Sequence, residues 1–279
     1  MILVAKYVVV GYWVVYVSAG IIFQQVNKAQ QLFREMQALY VQEAQKIQAF
    51  EVTQGLYIGD ASAPMARVHL SFKKEVREGV PVFVPVDSTQ SDRMMGGYPM
   101  FLQPPLFDSL FQYLRFVSED TLEGRPVWIL TVSKPELFTQ FVPPVGTENL
   151  TKTPEIQQLL IYADPEKKRI RKVEMEGVAP DHKTPFHLEL IYADYRSIEG
   201  FTYPFRITIL MRGMQEKELS SEKLARAKYQ LKQLERQLSS MTEAQRAQVE
   251  NMRRLLEQAE QKQIILRVDA QSLTVHPDK

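Results

Sequence analysis

Cysteine is absent from the chain, which excludes disulfides, thiolate metal sites, a cysteine nucleophile and the lipidated cysteine of a bacterial lipoprotein. Surplus charge is missing too. The 34 Lys and Arg stand against 33 Asp and Glu, for a formal net charge of +1, so nothing draws the chain toward a phosphate backbone. Nucleotide-binding and hydrolase fingerprints are also lacking. The nearest approach, Met95-Gly96-Gly97-Tyr98, carries neither the Lys nor the Ser or Thr that phosphate chemistry requires, and reads as a turn. The four histidines, His69, His182, His187 and His276, show no metal-ligand spacing and read as surface or strand-face residues. Glu119, Asp120 and Glu123 cluster, but as solvated carboxylates at a strand end rather than as an acid and base pair. No cofactor or metal is called for, and the expectation is a protein that does not catalyse.

What is present is enough apolar residue, 45% over 279 positions, to build a sizeable core. Lys6 precedes an uncharged run from Tyr7 to Phe23. Read as a signal peptide, residues 1–23 offer Val17-Ser18-Ala19 for cleavage; read as an anchor, they continue through Ile21-Ile22-Phe23 to nearly the length of a bilayer-crossing helix. A buried core segment is the third reading. The first two place the protein in the periplasm or hold it on the inner membrane.

Gln24 to Ile47 then follows a helical period, with Val26, Leu32 or Phe33, Met36, Leu39 or Tyr40, and Ile47 on one face. From Phe50 the period changes to two. Val52, Gln54, Leu56 and Ile58 form one row, and Val68, Leu70 and Phe72 a second, opposed by Arg67, His69, Ser71 and Lys73. Val80 to Val86 makes a third strand, and Pro81 and Pro85 put it at a sheet edge because proline cannot donate to a ladder. Strand pattern resumes at Phe116, turns at Glu123-Gly124 and continues through Val127-Trp128-Ile129-Leu130. Leu159 to Met211 is the clearest block: four alternating segments with turn chemistry at Asp164-Pro165 and Glu199-Gly200, an antiparallel meander with one apolar face to cover.

Two segments depart from the strand pattern. Met94 to Phe111 is rich in Met and aromatic residues and suits either a movable lid lining an acyl-chain cavity or core packing beneath a long loop. Gln215 to Lys262 has no internal Gly or Pro and repeats Leu224, Ala227, Leu231, Leu234, Leu238 and Met241, then Val249, Met252, Leu256 and Ala259, which predicts a coiled-coil hairpin of two arms of about 20 residues. A capping box at Thr242 to Gln245 starts its second arm. Strand pattern returns at Ile264 to Val268 and Leu273 to Val275, so the hairpin is an insertion.

The order of these elements, together with LLIYADPEKKRIRKV and LIYADYRSIEGFTYPFRITI, resembles the outer-membrane lipoprotein-sorting proteins, the LolA-type carriers. The closest local match is Asp194-Tyr195-Arg196 through Gly200 and Pro204. Resemblance covers roughly Gln24 to Met211 and the final strands. It implies a mainly β fold of α+β type, an unclosed antiparallel barrel with an N-terminal helix and lid over an apolar cavity. It also implies an exported protein that binds lipid or lipoprotein acyl chains without catalysis, and it brings forward Arg67 as a second-strand residue.

The resulting division is 1–23 as signal or anchor, 24–214 with 263–279 as half-barrel, and 215–262 as inserted hairpin. Leu56, Ile58, Val68, Leu70 and Phe72 are expected on the concave wall, and Met100, Phe101, Leu106, Phe107 and Leu110 in the lid. A second class stays open: a membrane-tethered envelope sensor or adaptor whose barrel and hairpin contact a protein partner.

Overall fold

In the computed structural model, described for residues 28–77, 79–86, 111–136, 154–178, 184–213 and 221–278, the alternating segments pair into one sheet. Its strands are β1 (Ile47–Ile58), β2 (Ala66–Arg77), β3 (Val80–Pro85), β4 (Leu114–Leu122), β5 (Arg125–Val132), β6 (Glu155–Asp164), β7 (Arg169–Val178), β8 (Pro185–Ile198), β9 (Phe201–Arg212) and β10 (Gln263–Pro277). They lie in the order β3-β2-β1-β10-β9-β8-β7-β6-β5-β4, all antiparallel. The sheet is not closed. β3 and β4 form its edges, and the proline-bearing strand sits where the missing donors of Pro81 and Pro85 do least harm.

Turn chemistry sets the register. Glu123-Gly124 and Glu199-Gly200 each join two strands with both φ angles positive, at 51° and 75° and at 50° and 79°. That is the two-residue turn whose twist matches a right-handed hairpin. Between β6 and β7, the Asp164 carboxylate accepts from the backbone N–H groups of Glu166 (2.9 Å) and Lys167 (2.7 Å), a side-chain substitute for a backbone turn.

A helix over 28–44, α1, lies on the apolar face of the sheet. Ala29, Leu32, Phe33, Met36, Tyr40 and Ala44 recur at three-to-four spacing and are all buried. The expected helical run overshoots at its end. Ile47 belongs to β1, where it pairs opposite Pro277. The acidic cluster lies at a strand end as expected: Glu119 and Asp120 are exposed among the last residues of β4, and Glu123 stands in the turn that follows. The two expected final strands are one continuous strand, β10, which absorbs its polar middle with a bulge opposite Thr53 and Gln54.

Between β9 and β10 stand two helices, α2 (Ser221–Glu235) and α3 (Glu243–Glu260), separated by a short turn of 3-10 helix at Leu238–Ser240. They are shorter than the arms read from the sequence, with 15 and 18 residues. The capping box is present: Thr242 and Gln245 each satisfy the other's backbone N–H. Leu231, Val249 and Leu256 are buried between the helices, backed by Leu224, Ala227, Leu234, Leu238 and Met241. Met252 departs from the expected seam and is 38% exposed. The other side of α3 explains why. Asn251 is buried, Arg254 pairs with Asp60 of the β1–β2 turn, and the Gln258 side chain accepts from the Ile265 N–H at 3.0 Å, so the helix is docked on the end of β1 and β10 instead of projecting freely. No helix of the described residues is long and apolar enough to cross a membrane. The run 1–23 lies outside the described residues.

Candidate functional site on the concave apolar face

The period of two puts Phe50, Val52, Gln54, Leu56 and Ile58 of β1 on one face, opposite Phe72, Leu70, Val68 and Ala66 of β2 in register. All five expected wall residues therefore share a face. Leu70 and Phe72 are buried in an aromatic cluster with Phe50, Phe83, Phe201, Tyr203 and Phe205, and Val68 packs against it. Leu56 packs against the neighbouring cluster, which α1 shares with β4 to β10. Ile58 is 1% exposed. The expected lid residues Met100, Phe101, Leu106, Phe107 and Leu110 lie outside the described residues. Arg67 is exposed on the opposite face of β2 and contributes nothing to the concave wall.

The decisive geometry is a contact across the sheet. Phe83 of β3 and Phe201 of β9 have ring centroids 5.5 Å apart, although β2, β1 and β10 stand between their strands. In a flat sheet four strand spacings would separate them by about 19 Å. The sheet is therefore curled, and its concave side is the apolar one. Phe50 sits at the focus, stacked on Phe72 at 4.7 Å, edge-on to Phe83 at 5.2 Å and 5.1 Å from Phe201.

One polar group interrupts this wall. Gln54 is 2% exposed and donates from its amide to the Tyr203 hydroxyl at 2.9 Å. Burial pushes the Tyr203 phenol well above its ordinary range. The sequence reading named neither residue as part of the site. The available signal was the amide itself, an isolated polar side chain in an apolar row between Val52 and Leu56.

No family model and no curated protein matches the chain. Solved structures to which the chain is similar include three, each with a TM-score below 0.5. One, named for an outer membrane lipoprotein-sorting protein domain, is from Vibrio parahaemolyticus: 11% identity, 90% of this chain and 93% of that one, TM-score 0.41. The second, a DUF1329 family protein from Desulfovibrio piger, has 8% identity over 90% and 93% of the two chains, with a TM-score of 0.38. The third, a LolA superfamily protein from Nitrosomonas europaea, has 10% identity over 88% and 94%, with a TM-score of 0.35.

The helix that covers the concave face is fastened along its polar side. Lys28 pairs with Glu119 of β4 at 2.6 Å and lies over the Phe116 and Trp128 rings. Glu35 pairs with Lys168 of the β6–β7 turn at 2.5 Å. The Lys168 hydrogen bond, with a second from Gln31, holds the Glu35 carboxyl below the usual carboxylate range. Glu43 accepts from Arg169 at 2.5 Å and from the Thr202 hydroxyl at 2.9 Å. Half-exposed pairs such as the first two contribute little each, on the order of 1 kcal/mol or less, while the apolar side of α1 is fully buried. The helix thus combines an apolar attachment with an ionic rim that is weak at Lys28 and Glu35 and firmer at Glu43, whose pair with Arg169 is mostly buried.

Proposed function

We propose that this protein is a non-enzymatic carrier, exported to the periplasm, that binds the acyl chains of lipids or lipoproteins against its concave face. The observation that carries the reading is the curl of the sheet recorded by the Phe83–Phe201 contact. A single curved sheet with an apolar inner face must be covered, and here, among the described residues, α1 supplies cover with its Phe33 and Met36. An acyl chain offers the same apolar surface as those side chains, at about 25 cal/mol per Å² buried, so exchange of helix for ligand leaves the face covered throughout. Gln54 and Tyr203 supply a hydrogen-bonding pair within the wall where an ester linkage can be met. The α2–α3 hairpin favours a second reading, in which the protein is an envelope sensor or adaptor: Tyr229 is 65% exposed, and Met252 and Leu255 are 38% and 36% exposed, large apolar groups on an element outside the sheet.

The test is native mass spectrometry of the full chain purified from envelope extract, followed by denaturation and identification of what is released. A stoichiometric acylated species is the expected outcome. An empty protein that stays empty when offered phospholipid and acylated peptide, and that instead co-purifies with a polypeptide, would replace the carrier with the adaptor.

A further inference from the structure

The convex face carries a cluster that the carrier reading does not use. On β7 and β8, Glu174 and Glu176 alternate outward and face Glu189 and His187 across the pair, with Glu176 directly opposite His187 and Glu174 directly opposite Glu189. The imidazole is 19% exposed and lies between carboxylates on both sides: Nδ1 is 3.2 Å from Glu176 Oε1, and Nε2 is 2.9 Å from Glu189 Oε1 and 4.0 Å from Glu174 Oε1. One donor atom each from Glu174, Glu176 and His187 lies within 4.8 Å of the others.

We propose that this cluster binds a divalent transition-metal ion of the zinc class, with His187 and the carboxylates of Glu174 and Glu176 as ligands and water completing the shell. Two features favour an ion over a simple ion pair. Tetrahedral ligands at about 2.0 Å from zinc stand about 3.3 Å apart, which the 3.2 Å between Nδ1 and Glu176 Oε1 matches; Glu174 Oε1, 4.0 Å from Nε2, has to turn toward Nδ1 to join them. The remaining groups also form the outer support that metal-bound histidines use. With the ion on Nδ1, Nε2 carries the ring hydrogen toward Glu189, 2.9 Å away; Glu189 is itself held by Lys172 at 2.7 Å, while Lys172 (2.9 Å) and the Tyr162 hydroxyl (3.0 Å) fix the far oxygen of Glu174. Arg212 of β9, paired across from His187, is the cation that the ion must tolerate.

Isothermal titration of the full, chelator-stripped chain with zinc chloride at neutral pH tests this. His69 and His276, at 3.7 and 3.8 Å from Glu51, offer zinc a second place, so the variants and not the stoichiometry decide. The expected result is one site of micromolar or better affinity that is lost in both Glu176→Gln and His187→Ala, weakened about 10–100-fold in Glu189→Gln and unchanged in His69→Ala. Glu176→Gln keeps size and hydrogen bonding on a half-exposed side chain, so its fold, checked by circular dichroism, is not in question. Zinc affinity equal in wild type and Glu176→Gln, or no binding by either, overturns the proposal. A rise in melting temperature with zinc in wild type but not in Glu176→Gln is the second expected readout.

Discussion

A single hydrogen decides the pairing of β6 with β7. Gly177 stands opposite Ile156, beside a bulge at Gln157, and a Cβ built on it would lie 2.0 Å from the Glu155 carbonyl oxygen and 3.0 Å from the Phe186 ring. Backbone cannot step aside as a flexible side chain can, so Gly177→Ala must open the pair at its edge. The expected loss is about 1–3 kcal/mol, read as a lower urea midpoint at unchanged m. Gly79→Ala is the comparison: nothing lies within 4 Å of its Cβ, and only its φ of 81° resists, which costs about 1 kcal/mol. Equal midpoints for the two variants would mean that the Glu155–Gly177 approach is not as close as described. At this scale the sequence is only partly legible. The alternation of Val68, Leu70 and Phe72 tells which way each side chain points, but not that Phe83 will meet Phe201, because that contact depends on curvature summed over five strands. The Glu174, Glu176, His187 and Glu189 cluster is hidden for a related reason. Its members are unremarkable by spacing along the chain and become neighbours only through register.

Elements were more legible than their ends. The prolines of β3, the paired turns at Glu123-Gly124 and Glu199-Gly200 and the Thr242 capping box each act through local backbone chemistry, so they can be read without tertiary knowledge. The docking of α3 could not, since Asp60 and Ile265 are far from Arg254 and Gln258 in sequence or lie past the helix end, and the seam therefore loses Met252 to solvent. The hairpin still has its own apolar cluster, separate from those of the sheet, and its roots are cross-strand partners: Arg212 of β9 pairs with Gln263 of β10. Replacing residues 213–262 by Asn-Gly should thus join the two strands by an ordinary two-residue turn. The shortened chain is expected to unfold in one cooperative transition, with a midpoint close to that of the whole protein, because both sheet clusters are kept and the lost contacts are few: Arg254 with the exposed Asp60 and the Gln258 hydrogen bond to Ile265. A broad or multi-step transition, or an insoluble product, would show instead that the sheet depends on the helices lying across the end of β1 and β10.

For the molecule as a whole, the carrier reading requires the concave face to exchange covers, and among the described residues the long helix α1 supplies cover, with Phe111 and Tyr113 packed against the same cluster. The chain has no cysteine, so a pair introduced at Glu35→Cys and Lys168→Cys, where the side chains already meet at 2.5 Å, can be bridged by a short thiol cross-linker without side reactions. Loss of that ion pair alone should change little, since Lys28–Glu119 and Glu43–Arg169 still fasten the helix at either end. With the bridge closed, uptake of a fluorescent fatty acid from solution is expected to fall at least tenfold relative to the unbridged double variant, and cleavage of the linker should restore it. The opposite pattern is equally informative. If the bridged protein takes up the probe as fast as the open one, the acyl chain enters without moving α1, and the buried row from Ala29 to Ala44 is permanent core. The ion pairs along its rim would then fix the helix on the sheet, and exchange would have to occur elsewhere along the concave face.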